Sequence, residues 1–261
     1  MVKFDFKKSL GQNFLNDENI IDKIVKNAMI DKDTLLIEIG PGAGALSKKT
    51  IPLSGNAILY EIDTRLKEIL DKELCDYDNY KIIFNDVLNQ NISEDIKNFD
   101  YKKIYVVANL PYYITTPIMT KVIEEIEPDK IVVMIQDEVA DRLSAQPGSR
   151  DYGMISAYLS SRYDVKKLFK VSRNCFVPAP NVDSAVISLD KHNKYTISNK
   201  NVFDKLIKDA FKFKRKNLRN NLKGYDLELI DMLLSKNGFS LADRAEIVPV
   251  SLFIEIANLL K

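Results

Sequence analysis

Leu35-Leu36-Ile37-Glu38-Ile39 runs directly into Gly40-Pro41-Gly42-Ala43-Gly44-Ala45, a strand that ends in a glycine turn. A short run of leucine and isoleucine suits a strand buried on both faces. The glycines that follow remove side chains where the chain turns, so a ligand can approach the backbone and meet the free N–H groups of the next helix. Similar runs recur at Ala57 to Tyr60, Lys81 to Phe84, Ile104 to Ala108 and Ile131 to Ile135, separated by amphipathic stretches. That alternation predicts a parallel sheet covered by helices on both faces. Two further runs, Val165 to Val171 and Ala185 to Leu189, flank the loop Asn174 to Asp183 and predict an antiparallel pair that completes a seven-stranded, Rossmann-like α/β sheet.

After Leu189 comes the polar stretch Asp190 to Lys200, which holds the only histidine, His192, and beyond it the periodicity is helical. The expected division is a cofactor-binding catalytic domain over residues 1–192 and a small all-helical domain over 193–261. In the latter, Phe203, Leu206, Ile207, Ala210 and Phe211 mark one helical face, while Lys208, Lys212, Arg215, Arg219 and Lys223 mark another of the same helix. A second helix is expected from about Leu227 to Lys236, stopped by Gly238, and a third from about Ser251 to Leu260.

The 261 residues carry 38 basic and 37 acidic side chains, a near balance that hides an asymmetry. Residues 191–261 hold 14 basic against 8 acidic, which leaves 24 against 29 for residues 1–190, so the two parts carry +6 and −5. Most of the excess lies between Phe203 and Lys223, a local field suited to phosphates; the alternative is an ordinary solvated face. No apolar run approaches the roughly 18 residues of a membrane span, and residues 1–15 lack a signal-peptide core, so a soluble cytoplasmic protein with no membrane partner is expected. Cys75 and Cys175 have no metal-ligand spacing and read as reduced structural thiols. A lone histidine in a polar linker argues against a histidine triad or a histidine metal site, and no Walker-type Gly-Lys-Ser/Thr occurs.

Glu61 stands 21 positions after Gly40, at the end of the second strand, where it can bind a ribose. The glycine turn and this acid fit a nicotinamide dinucleotide as well as another adenosyl cofactor. Asp86 ends the third strand and can accept from an adenine amine, or serve only as a solvated loop acid.

Asn109-Leu110-Pro111-Tyr112 closes the fourth strand and is the most informative tetrapeptide in the chain. An adenine amine is a poor nucleophile because its lone pair is delocalised into the ring, so a catalyst must localise that pair by accepting from the N–H bonds. Asn109 offers a side-chain oxygen and Leu110 a main-chain carbonyl, held outward because Pro111 confines Leu110 to an extended conformation. Tyr112 can then stack on a flipped base, and Phe176, in Phe176-Val177-Pro178-Ala179-Pro180, is expected to cover its second face unless it is a core aromatic beneath a loop.

These residues, with Ser9-Leu10-Gly11-Gln12-Asn13-Phe14-Leu15, Glu61-Ile62-Asp63 and Arg244-Ala245-Glu246, resemble the ribosomal RNA adenine dimethyltransferases over nearly the whole chain. Leu10-Gly11, Leu110 and Arg244-Ala245-Glu246 favour the small-subunit branch over a sister branch that methylates large-subunit (23S) RNA and confers macrolide resistance. The resemblance implies a class I methyltransferase sheet, S-adenosyl-L-methionine as cofactor, and a small ribosomal subunit precursor as partner. It also implies dimethylation of two adjacent adenines near the 3′ end of 16S ribosomal RNA, by a monomer without metal. Carried over, cofactor contacts fall on Gln12, Asn13, Leu15, Gly40, Gly42, Glu61, Ile62, Asp86, Val87 and Asn109, and catalysis on Asn109, Leu110, Pro111, Tyr112 and Phe176. RNA binding falls to the basic face of Lys208, Lys212, Arg215, Arg219 and Lys223. Tyr113, where some relatives carry Asn, is a departure that changes no expected role.

Overall fold

The structure is a computed structural model that describes residues 13–260. Its strands are β1 (Phe14–Leu15), β2 (Thr34–Ile39), β3 (Asn56–Glu61), β4 (Tyr80–Phe84), β5 (Lys103–Asn109), β6 (Lys130–Gln136), β7 (Tyr163–Val171), β8 (Phe176–Val177) and β9 (Ser184–Lys191). Seven form one sheet in the order β4-β3-β2-β5-β6-β9-β7, as the hydrophobic runs predict. β4, β3, β2, β5 and β6 are parallel neighbours, and β9 joins β6 antiparallel, with Ile131 opposite Leu189 and Val133 opposite Ile187. All six residues of β2 are buried, so the strand that carries the glycine turn lies at the centre of the core.

The helices are α1 (Glu18–Ala28), α2 (Ser47–Thr50), α3 (Lys67–Glu73), α4 (Ile92–Asp95), α5 (Thr115–Ile126), α6 (Asp137–Leu143), α7 (Met154–Ser160), α8 (Lys200–Ala210), α9 (Leu218–Asn221), α10 (Leu227–Lys236) and α11 (Val250–Leu259). Asp17 starts α1 by accepting from the N–H groups of Asn19 and Ile20 at 3.0 and 3.2 Å, which fixes where the segment carrying Asn13 and Phe14 leaves the helix. That segment is tied down by the two-residue ladder of β1 with β8, which sets Phe14 opposite Val177 and Leu15 opposite Phe176.

The chain divides into two compact units. The first holds the chain up to Ala140 together with Lys166–Asp190; the second holds Asp141–Val165 and the chain from Lys191 onward. The boundary near Asp190 lies where the composition changes. The grouping of Asp141–Val165 with the helical part corrects a division into two contiguous pieces at 192/193. Its physical reason is the apolar face of α7, where Ala157, Tyr158 and Leu159 are buried and the helix packs on α8 and α11. Arg162 fastens the same contact, its guanidinium 4.2 Å from the Tyr158 ring and 3.2 Å from the Asp204 carboxylate. Among the described residues no helix is long and apolar enough to cross a membrane, and both cysteines are free thiols.

Candidate active site

The cleft lies at the carboxyl ends of β2, β3, β4 and β5, where open α/β sheets bind ligands, and encloses about 770 Å³ of empty space including its open mouth. Its floor is the glycine turn. Gly40 and Gly42 both have positive φ, +72° and +59°. At Gly42 a Cβ would lie 2.7 Å from the Phe14 ring, so this position needs glycine for space as well as for conformation. Phe14 thereby forms part of the wall, and Asn13 stands beside it.

Glu61 closes the turn. Its carboxylate accepts from the Gly42 N–H at 3.1 Å and from the Asp63 N–H at 2.9 Å. Burial pushes its carboxyl above the ordinary range, while those main-chain donors act in the opposite sense. Each oxygen keeps lone-pair capacity for a ligand hydroxyl. Ile62 follows, 46% exposed on the cleft wall, an apolar surface for a flat ring. Asp86 also lines the cleft; one of its oxygens accepts from the Leu88 N–H at 2.9 Å, and Val87 continues the wall after it. Behind the floor lies Glu38, 2% exposed, with one carboxyl oxygen lacking a hydrogen-bond partner among the described residues. Burial pushes its carboxyl up to about 8, a shift that the Ser47 hydroxyl opposes and the Glu61 charge reinforces.

The wall opposite is Asn109-Leu110-Pro111-Tyr112. Asn109 ends β5 and donates from Nδ2 to the Asn13 carbonyl at 3.0 Å, which fixes the amide's orientation and leaves Oδ1 as the free end. The Leu110 N–H donates to the Met134 carbonyl at 3.1 Å, so the loop backbone extends the pairing of β5 with β6. Its carbonyl accepts no bond among the described residues, whereas the Pro111 carbonyl is taken by the Ile114 N–H and the Thr115 hydroxyl, at 3.3 and 3.1 Å. The Tyr112 hydroxyl is 2.6 Å from Ser184 Oγ at the start of β9, which pins the ring, and burial raises its phenol above the ordinary value.

The structure therefore gathers Asn13, Gly40, Gly42, Glu61, Ile62, Asp86, Val87, Asn109, Leu110, Pro111 and Tyr112 around one cleft. Gln12 lies outside the described residues. Two expectations are corrected. Phe176 is 3% exposed and sits in the hydrophobic core; it does not line the cleft, because its pairing with Leu15 turns it inward. The Leu15 side chain is in the same core and is likewise not a cleft residue. Phe14 and Tyr113 also line the cleft, the latter 58% exposed, although neither is expected there from the sequence. An adjacent tyrosine after a strand-ending Pro-Tyr is the signal that finds Tyr113; the β1–β8 pairing that places Phe14 has no local signature.

The basic residues do not share the one helical face that the periodicity predicts. Lys208 is on α8, but that helix ends at Ala210, so Lys212, Arg215, Arg219 and Lys223 do not continue along it. Asn221 stops it by donating from Nδ2 to the Ala210 carbonyl at 2.7 Å and the Phe213 carbonyl at 3.3 Å, and Asn217 caps the short α9. All five cations are exposed. They belong to the second unit, on a helix end, a loop and a second short helix.

A sheet in the order β4-β3-β2-β5-β6-β9-β7 with a glycine turn after its central strand defines a class I, Rossmann-like methyltransferase fold. The chain belongs to the ribosomal RNA adenine dimethylase family, whose model matches residues 3–261. "Ribosomal RNA small subunit methyltransferase A" of Bacillus cereus (strain B4264) is 42% identical, covering 98% of this chain and 92% of that protein. The protein of that description from Bacillus mycoides (strain KBAB4) is also 42% identical with the same coverage. Among solved structures, a dimethyladenosine transferase from Plasmodium falciparum superposes with a TM-score of 0.76 at 25% identity, over 93% of this chain and 95% of that one. The 23S rRNA methyltransferase ErmE has a TM-score of 0.76 at 21% identity, over 95% and 99%, and bears on the fold alone.

Proposed function

We propose that this chain transfers methyl groups from S-adenosyl-L-methionine to N6 of two adjacent adenines near the 3′ end of 16S ribosomal RNA, acting as a monomer on a small-subunit precursor in the cytoplasm. The observation that carries the reading is the pair of acceptors on one cleft wall, Asn109 Oδ1 and the donor-free Leu110 carbonyl. The names of the 42% identical relatives favour small-subunit over large-subunit RNA.

The cleft fits the cofactor on chemical grounds. The Gly42 cradle leaves room for main-chain contact, Glu61 would receive ribose hydroxyls, and Asp86 would accept from the adenine amine with Ile62 beside the ring. When bound, S-adenosyl-L-methionine supplies an electrophilic methyl group. Asn109 and the Leu110 carbonyl accept from the N–H bonds of the target amine, turning its lone pair out of the ring and toward that methyl. With the cofactor bound, the methyl would pass from sulfur to N6 and the amine proton would pass to solvent, so Asn109 and the Leu110 carbonyl need only orient the amine and no strong base is required. Tyr112, pinned by Ser184, supports one face of the flipped base, and exposed Tyr113 is the aromatic left on the cleft to cover the other. Cations of the second unit hold the RNA backbone.

The test is incubation with labelled S-adenosyl-L-methionine and small subunits lacking adenine dimethylation, followed by identification of the labelled nucleoside. Dimethyladenosine from 16S RNA, lost in Asn109→Ala while cofactor binding persists, is expected. Label confined to large-subunit RNA, or normal turnover by Asn109→Ala, refutes the substrate or the role respectively.

A further inference from the structure

Phe211-Lys212-Phe213-Lys214-Arg215-Lys216 alternates in what it does with its aromatics. Phe211 turns inward, its ring 5.7 Å from Phe253 and 5.8 Å from Tyr152. Phe213, two residues on, turns outward at 55% exposure, and it is the only exposed phenylalanine among the described residues. Residues 212–216 are all exposed, and their four cations make no salt bridge among the described residues. One of them, Lys212, has its ammonium 5.5 Å from the centre of the Phe213 ring.

A single exposed apolar residue is ordinary on a protein surface. This one differs because its backbone is fixed while its ring, with Lys212 near one face, stays more than half exposed. Asn221 holds the carbonyls of Ala210 and Phe213, and the Lys216 N–H closes a turn onto the Phe213 carbonyl at 2.9 Å. The main chain is therefore set before any partner arrives, and the ring projects from a concentrated positive field. A partner that offers negative charge together with a flat apolar face relieves both features, and an unpaired nucleotide supplies the two from one residue. A duplex offers the phosphates but keeps its bases stacked on one another.

We propose that Phe213 is a stacking platform for an unpaired RNA base, with Lys212, Lys214, Arg215 and Lys216 holding the flanking phosphates. This deepens the proposed RNA-binding role of the second unit and rests on it. It makes the loop a reader of single-stranded RNA rather than a diffuse electrostatic patch. Stacking and charge leave different signatures. Phosphate contacts set the salt dependence of binding, about 0.7 in log–log slope for each contact to a single strand, whereas a stacked ring adds affinity that salt leaves alone.

The experiment titrates the full chain against a short single-stranded RNA and a hairpin duplex at several salt concentrations. Phe213→Ala is expected to weaken single-strand binding about tenfold at every salt concentration with the slope unchanged, and to leave duplex binding as it was. Arg215→Ala is expected to lower the slope by about 0.7. The chain contains no tryptophan, so Phe213→Trp introduces a single reporter whose emission should be quenched by the single strand at wild-type affinity. Unchanged affinity in Phe213→Ala together with unmoved emission in Phe213→Trp at saturation overturns the platform; so does equal quenching by the duplex. If reversing Lys212, Arg215 and Arg219 to Glu weakens binding in the same titrations while the Phe213 variants behave as wild type, stacking fails and docking stands. If the reversal also leaves binding intact, the docking role fails with it.

Discussion

Replacing Glu38 by Gln should remove a loss of stability that grows with pH. The carboxyl ordinarily titrates near 4.5, and burial raises it to about 8 in the folded chain. Below pH 4.5 both folded and unfolded states hold the proton, and the group contributes nothing. Between 4.5 and 8 the unfolded state ionises and the folded state does not, so stability falls by about 1.4 kcal/mol for each pH unit. At pH 7 the accumulated loss is about 3 kcal/mol, and above 8 it levels off. Gln keeps the shape without the charge, and the amide it introduces adds an offset that pH does not change. Urea unfolding of both proteins from pH 5 to 8, followed by circular dichroism, should show the difference in stability moving steadily in the variant's favour as pH rises. A difference that stays flat across that range would refute the claim that Glu38 is neutral in the folded protein.

Gly42→Ala should leave the sheet folded but abolish measurable cofactor binding by calorimetry, since its Cβ would meet Phe14 at 2.7 Å and its φ of +59° costs a non-glycine residue about 1 kcal/mol. Tyr112→Phe frees the ring from Ser184 and should lower kcat several-fold with little change in cofactor affinity, read from single-turnover methylation. Asn221→Ala removes the donor to two carbonyls and should cost about 1–2 kcal/mol, seen as a lower thermal midpoint.

What was legible in the sequence was what local spacing encodes. β2 and its glycine turn, Glu61 at the next strand end, and Asn109 to Tyr112 after β5 are each fixed by a few adjacent residues, and the sheet brings their ends together. What escaped depended on pairing between distant segments. Leu15 meets Phe176 across β1 and β8, and that contact buries an aromatic that a proline-rich loop would otherwise offer to the cleft. Asp141–Val165 joins the helical unit because α7 seeks apolar partners in space, not along the chain. The basic residues from Lys208 to Lys223 fit a helical period, yet the side chains of Asn217 and Asn221 compete for the backbone and break the helix between them.

One of the two acceptors proposed for the target amine is a main-chain atom, aligned by the bond from the Leu110 N–H to Met134. No codon change deletes a carbonyl, so position 110 is robust in a way that position 109 is not. A saturation library selected for methylation should accept apolar, β-branched residues at 110 and reject nearly everything at 109. At 111 it should keep proline, because there the side chain governs the direction in which its neighbour's oxygen points. Half of the proposed catalytic pair is thus written in backbone geometry, where substitution reaches it only through its neighbours.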